Sequence, residues 1–234
     1  IILEFPNPEP RPVTLTGLWP EVSPLPPTTA LLGLTDDGAT LTARLSSPEV
    51  AHALVAGTNG AGKTALLRTM AVSLALSNRP EDLRLLCLDL QGRAFRALPG
   101  LPHLVRPPVV EAGDAVEALQ SLTRLLELRL RRQEHLPRTV VFIDEATDLM
   151  TEYTGDVSVE SLLVRLTQSG HLAGIHLVVA TRRPSAAVLS EVLRANFPLR
   201  LVGKVVSAED ARVAAGRGQI EAHLLNGRGD FLAV

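Results

Sequence analysis

Lysine is nearly missing from this sequence: among 23 basic residues only Lys63 and Lys204 are lysines, and the rest are arginines. Aromatic residues make up 3%, too few to support a base-stacking surface for single-stranded nucleic acid. The single cysteine, Cys87, cannot pair within the chain, which fits a reducing, cytoplasmic compartment. No run approaches the roughly 18 consecutive apolar residues of a membrane span, so membrane attachment would lie outside this chain. Neither sign of charge dominates: the formal net charge is −2, and composition alone does not argue for a nucleic-acid partner. His103 and His176 have no cysteine or carboxylate at metal-ligand spacing, which argues against a zinc site. The chain starts at Ile1 without a signal-peptide pattern, and it is expected to be a piece of something longer.

What is present is core material. An apolar fraction of 46% against 21% charged residues, over 234 residues, supports one large domain or one domain with a short appendage. Residues 1–30 carry Pro6, Pro8, Pro10, Pro12, Pro20, Pro24, Pro26 and Pro27. Proline removes amide donors and restricts the residue before it, so this segment reads as extended linker or edge strand. Asp36-Asp37-Gly38 reads as a turn between strands at Leu31–Leu34 and Ala39–Leu45.

Residues 31–234 then form the domain proper. Short apolar runs at Ala53–Ala56, Leu83–Leu88, Thr139–Ile143, Ile175–Ala180 and Leu199–Val206 suit strands buried on both faces. Between them lie helical periodicities at Lys63–Leu76, Asp114–His135, Val157–Ser169 and Ala186–Ala195. Such alternation predicts an α/β fold, a mostly parallel sheet flanked by helices. Arg124, Arg129, Arg131 and Arg132 on the longest helix, interleaved with Glu127 and Glu134, read as a solvated face rather than a basic stripe.

Gly57-Thr58-Asn59-Gly60-Ala61-Gly62-Lys63-Thr64 follows one apolar strand and opens a helix. Its glycines let successive amides converge on an anion, and the helix adds free N-terminal amides and its positive dipole end. Lys63 would reach the outer phosphates of ATP, and the Thr64 hydroxyl would ligate Mg2+. Chance produces this pattern in about one such sequence per thousand. Val140–Ile143 is a second apolar strand, ending in Asp144-Glu145. The expected roles are magnesium for Asp144 and general base toward the attacking water for Glu145. Asp89, at another strand end, reads equally well as a cap for the segment after it.

Further runs repeat the motifs of a family in order. They are Leu54–Thr64, Leu88-Asp89-Leu90-Gln91-Gly92, Leu101-Pro102-His103-Leu104, Ile143–Met150, Ala173–Pro184, Ala195-Asn196-Phe197-Pro198-Leu199-Arg200 and Gly227-Arg228-Gly229-Asp230. Together they resemble the FtsK/SpoIIIE motor domain. The resemblance implies a RecA-like P-loop NTPase that assembles as a homo-oligomeric ring, a hexamer, and hydrolyses ATP between neighbours. It implies double-stranded DNA as the translocated partner; alternatives are a protein substrate, as in secretion ATPases of the EccC type, and a nucleotide-binding assembly module with weak hydrolysis. It also implies that Thr181 senses the terminal phosphate, and that a trans-acting arginine is Arg131, Arg165 or Arg200. Two of these runs depart from the pattern. Asp89-Leu90-Gln91 stands where the family has Asp-Pro-Lys, and Thr181-Arg182-Arg183-Pro184 stands where it has Thr-Gln-Arg-Pro, so that Arg182 is a candidate phosphate sensor.

Overall fold

The computed structural model describes residues 12–182, 189–216, 218 and 220–234. The chain enters through a short helix, α1 (Leu15–Val22), and an antiparallel hairpin, β1 (Thr29–Leu34) and β2 (Thr40–Arg44). The main body then runs β3 (Ala53–Ala56), α2 (Lys63–Ser77), β4 (Leu83–Leu88), α3 (Ala112–Arg132) and β5 (Arg138–Ile143). It continues with α4 (Ala146–Glu152), α5 (Val159–Ser169), β6 (Ile175–Thr181), α6 (Glu191–Ala195), β7 (Leu199–Gly203), α7 (Ala208–Ala215) and β8 (Phe231–Ala233). Six strands make one sheet in the order β4-β5-β6-β3-β7-β8, parallel except for β8.

Side-chain alternation divides the core into two layers. On β5, Val141 and Ile143 face the layer with α3, α5 and α6, while Val140 and Phe142 face the layer with α2. β6 repeats this, with Ile175, Leu177 and Val179 on the first face and Val178 and Ala180 on the second. Both faces are therefore buried, which is why these strands read as continuous apolar runs. The exposed edge of β4 is covered by the segment after it: Val105 N–H donates to Leu85 O and Val109 N–H to Cys87 O, each at 2.9 Å.

The proline-rich start departs from the expected extended segment at α1. Thr14 caps that helix, its hydroxyl accepting from Gly17 N–H at 3.2 Å, and Ser23 N–H closes the other end on Trp19 O at 3.0 Å. Pro20 sits inside, but with only eight residues the helix gives up a single hydrogen bond to it. Residues 1–11 lie outside the described residues. The expected Ala186–Ala195 helix is α6 alone within the described residues, and its first three residues fall outside them. The strand expected to reach Val206 ends at Gly203, because Lys204 O turns aside to accept Thr58 N–H at 2.7 Å. α4, α7 and β8 carry no periodic signal of their own. Arg129 is no part of a solvated face: it is 5% exposed and donates to Ala173 O at 3.0 Å.

His52 and His176 pack at the opposite end of the strands from the phosphate loop, 1% and 2% exposed. His52 Nδ1 accepts Leu177 N–H at 3.0 Å, and His176 Nδ1 lies 2.9 Å from Ala51 O. Burial, with repulsion from the neighbouring histidines, pushes His52 down to about 3 from 6.5. Burial likewise lowers His176 to about 4. Both rings are neutral in the fold, while the unfolded chain protonates them below pH 6.5. Their contribution is complete above that pH and lost as pH falls toward the folded values. Thermal midpoints should hold level above neutrality and fall steadily from pH 6.5 to about pH 4 in a calorimetric series; a midpoint level across that window contradicts this account.

Candidate nucleotide site

Four parallel strands end along one rim and deliver the chemistry there. Register places Ala56 beside Thr181 and Leu88 beside Ile143, so Gly57–Thr64, Asp89, Asp144-Glu145 and Thr181-Arg182 are neighbours. The loop between β3 and α2 is braced from behind. Gly57 N–H donates to Thr181 O at 3.2 Å, Arg228 N–H to Gly60 O and Gly229 N–H to Ala61 O at 2.9 Å. Gly62 has φ 105° at the start of α2, and a Cβ there would stand 2.7 Å from Gly229 N. Only glycine fits both the backbone and that gap. Asn59 and Gly60 are exposed, Thr58 is half-buried and Ala61 is buried. Thr58 hydroxyl donates to Lys204 O at 3.0 Å.

Lys63 is buried and folds back on the loop, its Nζ donating to Gly57 O at 2.7 Å and Thr58 O at 3.2 Å. Burial lowers its pKa; Glu145 and Asp144 pull the other way. Thr64 hydroxyl donates to Asp144 Oδ2 at 3.0 Å, joining the two predicted magnesium residues directly. Asp144 is raised, first by burial and then by the charges of Asp89 and Glu145, against the pull of Thr64 and Lys63. Asp89 Oδ2 caps the following turn, accepting Ala94 N–H at 2.6 Å and Phe95 N–H at 3.3 Å. Its Oδ1 is buried without a hydrogen-bond partner. A rim with an orphaned carboxylate oxygen and a carboxyl raised by burial and by adjacent carboxylates suits a divalent cation. Among the described residues no three His, Cys, Asp or Glu side chains form a closed metal cage. An ion here would take Thr64, Asp144 and phosphate oxygens instead.

Glu145 begins α4 with φ 66° and ψ 76°, and it is 7% exposed. Its carboxylate does not point into open space. Arg182 N–H donates to Oε1 and Oε2 at 3.1 and 3.0 Å, Arg182 Nε lies 2.9 Å from Oε2, and Thr181 hydroxyl lies 3.4 Å from Oε1. Thr181, wholly buried, is also 3.1 Å from the Thr147 hydroxyl. Within this structure Thr181 and Arg182 thus contact Glu145. Arg183 and Pro184 fall outside the described residues.

Beyond the phosphate loop, a cleft of about 300 Å³ opens beside Gly62, lined by Leu18 of α1, Leu34, Ala65, Thr69, Arg228 and Phe231. No sequence signal pointed to it, since it joins segments from both ends of the chain. Of the candidate trans arginines, Arg131 is exposed at the end of α3 and Arg165 is exposed on α5. Arg200 instead donates to Phe197 O, Ala214 O and Arg194 O at 3.3, 3.2 and 2.7 Å. None of the three touches this chain's own phosphate loop in the contacts described.

A parallel sheet with a glycine loop at a helix N-terminus and carboxylates on the adjoining strand ends defines a P-loop NTPase fold. The model of the FtsK/SpoIIIE family matches residues 26–135 and 128–186, and the chain belongs to that family. Curated relatives include the DNA translocase FtsK of Bacillus cereus, 33% identical over 99% of this chain, and that of Chlamydia trachomatis, 30% identical over 99%. The chain spans 32% of the length of each. Solved structures with the same fold include the conjugation coupling protein TcpA with ATPγS, at TM-score 0.74 and 22% identity over 88% of this chain and 62% of that one. The cytoplasmic domain of the Thermomonospora curvata type VII secretion ATPase EccC gives 0.72 and 24% over 92% of this chain and 28% of that one.

Gly62→Ala should lower the thermal midpoint by about 5 °C, from left-handed strain plus the clash with Gly229. Gly60→Ala, with nothing within 4 Å of its Cβ, should lower it less. Scanning calorimetry on the two variants checks the order, and a larger loss at Gly60 refutes it.

Proposed function

We propose that this chain binds and hydrolyses Mg2+–ATP as the motor domain of a homo-oligomeric ring, a hexamer, that translocates double-stranded DNA. The observation that carries this reading is the direct Thr64–Asp144 contact with Lys63 and Glu145 on the same rim. Family membership and relatives named DNA translocases support the substrate class.

The loop amides and the α2 N-terminus bind the phosphates, and Lys63 leaves the Gly57 and Thr58 carbonyls for the outer ones. Thr64 and Asp144 would hold Mg2+, which supplies charge neutralisation at the transferring phosphate. Glu145 orients the attacking water and accepts its proton at a carboxylate oxygen. The cleft beside Gly62 takes the nucleoside, its apolar wall from Leu18, Leu34 and Phe231 meeting the base. Arg131 or Arg165 reaches the neighbouring subunit's phosphates, since Arg200 is fixed to three carbonyls of its own chain. Among the described residues no helix is long and apolar enough to cross a membrane. We place the domain on the cytoplasmic side, tethered to any membrane only through other parts of a longer protein.

A second reading, a protein-secretion ATPase, is favoured by one feature. An apolar groove of about 270 Å³ lies between α3 and the β4 edge, walled by Leu86, Val105, Ala118, Leu122 and Leu125. Turnover with long duplex DNA across a salt series separates the two. DNA translocation predicts stimulation that fades as salt rises, and absence of stimulation at every salt concentration refutes it.

Two variants test the chemistry. Lys63→Ala should lose ATP binding in calorimetric titration, and affinity within a few-fold of the parent removes the loop from its role. Glu145→Gln should keep affinity while turnover falls about 10²- to 10⁴-fold; unchanged turnover removes Glu145 as the base.

A further inference from the structure

The Glu145 carboxylate has about four acceptor sites, and three donors from Thr181 and Arg182 already lie against it. The Arg182 guanidinium does not end there. Its Nη2 lies 2.5 Å from Asp148 Oδ1, and Asp148 Oδ2 accepts the Gln91 side-chain amide at 2.6 Å. Positions 91 and 182, which lie in the two runs that depart from the FtsK/SpoIIIE motif pattern, thus meet on one carboxylate. The amide reaches it from the β4 end, and the cation reaches it from the β6 end, where the same guanidinium also holds Glu145.

We propose that Arg182 is a latch on Glu145, with Asp148 and Gln91 as its positioning residues. The latch holds the carboxylate against the end of β6 and leaves it little capacity for water. The terminal phosphate of a bound triphosphate carries more charge than a carboxylate and offers a guanidinium the same forked contact. Lys63 already feels the Arg182 charge, so the latch is within electrostatic reach of the loop. Transfer of the guanidinium to that phosphate frees Glu145 only when a triphosphate fills the site, so that the base and the substrate come into play together. The inference rests on Glu145 being the general base.

The test compares the parent with Arg182→Gln, Gln91→Lys/Arg182→Gln and Glu145→Gln. The double variant returns a cation to Asp148 from the β4 end, which separates loss of the latch from loss of Asp148's partner. Its turnover at saturating ATP should not exceed the parent's, because the bound terminal phosphate has already drawn the guanidinium off Glu145 there. Its affinity for a non-hydrolysable ATP analogue relative to ADP should fall by about two- to fivefold, the range for a partly exposed ion pair, with ADP affinity unchanged. In nucleotide-free protein the midpoint shifts of Arg182→Gln and Glu145→Gln should be non-additive when combined. Turnover in the double variant well above the parent's at saturating ATP, with Glu145→Gln inactive, overturns release of the latch by the phosphate and leaves the base standing. An unchanged analogue-to-ADP ratio, or additive midpoints, overturns the latch whatever the turnover. Turnover that survives Glu145→Gln overturns the base assignment, and the latch falls with it.

Discussion

The hydrogen bond from Thr64 to Asp144 crosses the full width of β6, tying the helix after β3 to the end of β5. It exists because charges of both signs are brought onto one poorly solvated rim. Burial pushes Lys63 and Asp144 toward their neutral forms from opposite sides. Lys63 answers by donating to loop carbonyls, and Asp144 by accepting a hydroxyl. Both are provisional partners. In the proposed function a triphosphate would give the lysine a true counter-ion, and a divalent cation would give the same to the carboxylates. Both charges therefore sit where ligand binding would relieve a cost that burial imposes.

The sheet was largely legible from the residues. Ala53–Ala56 and Leu83–Leu88 emerge with the expected limits, because a parallel strand buried on both faces shows as an uninterrupted apolar run with abrupt ends. The loop was legible because its spaced glycines answer a backbone need, clearest at Gly62, where φ is 105° and a Cβ would stand 2.7 Å from Gly229 N. α1 was not, because proline content suggests an extended chain while a two-turn helix tolerates Pro20. Arg129 misled for a different reason. Charge interleaving marks a solvated face, yet this guanidinium turns under the helix to satisfy the Ala173 carbonyl. The contact between Arg182 and Glu145 was beyond sequence reasoning altogether. It depends on the relative register of β5 and β6 and on a left-handed residue at the head of α4.

The imbalance between arginine and lysine has a structural logic. Arg200 satisfies three carbonyls at once, Arg129 reaches a carbonyl from within a helix, and Arg182 bridges two carboxylates. Arg200 and Arg182 each use a planar fork with donors pointing in fixed, different directions. An ammonium group, whose three donors rotate about one point, would hold Glu145 and Asp148 in a less fixed geometry. Lys63 faces the opposite requirement. Its Nζ donates to Gly57 O and Thr58 O from the end of a flexible stem, and in the proposed function that stem would carry it to a phosphate. Lysine suits a position whose partner changes, and arginine one where donors must keep fixed directions.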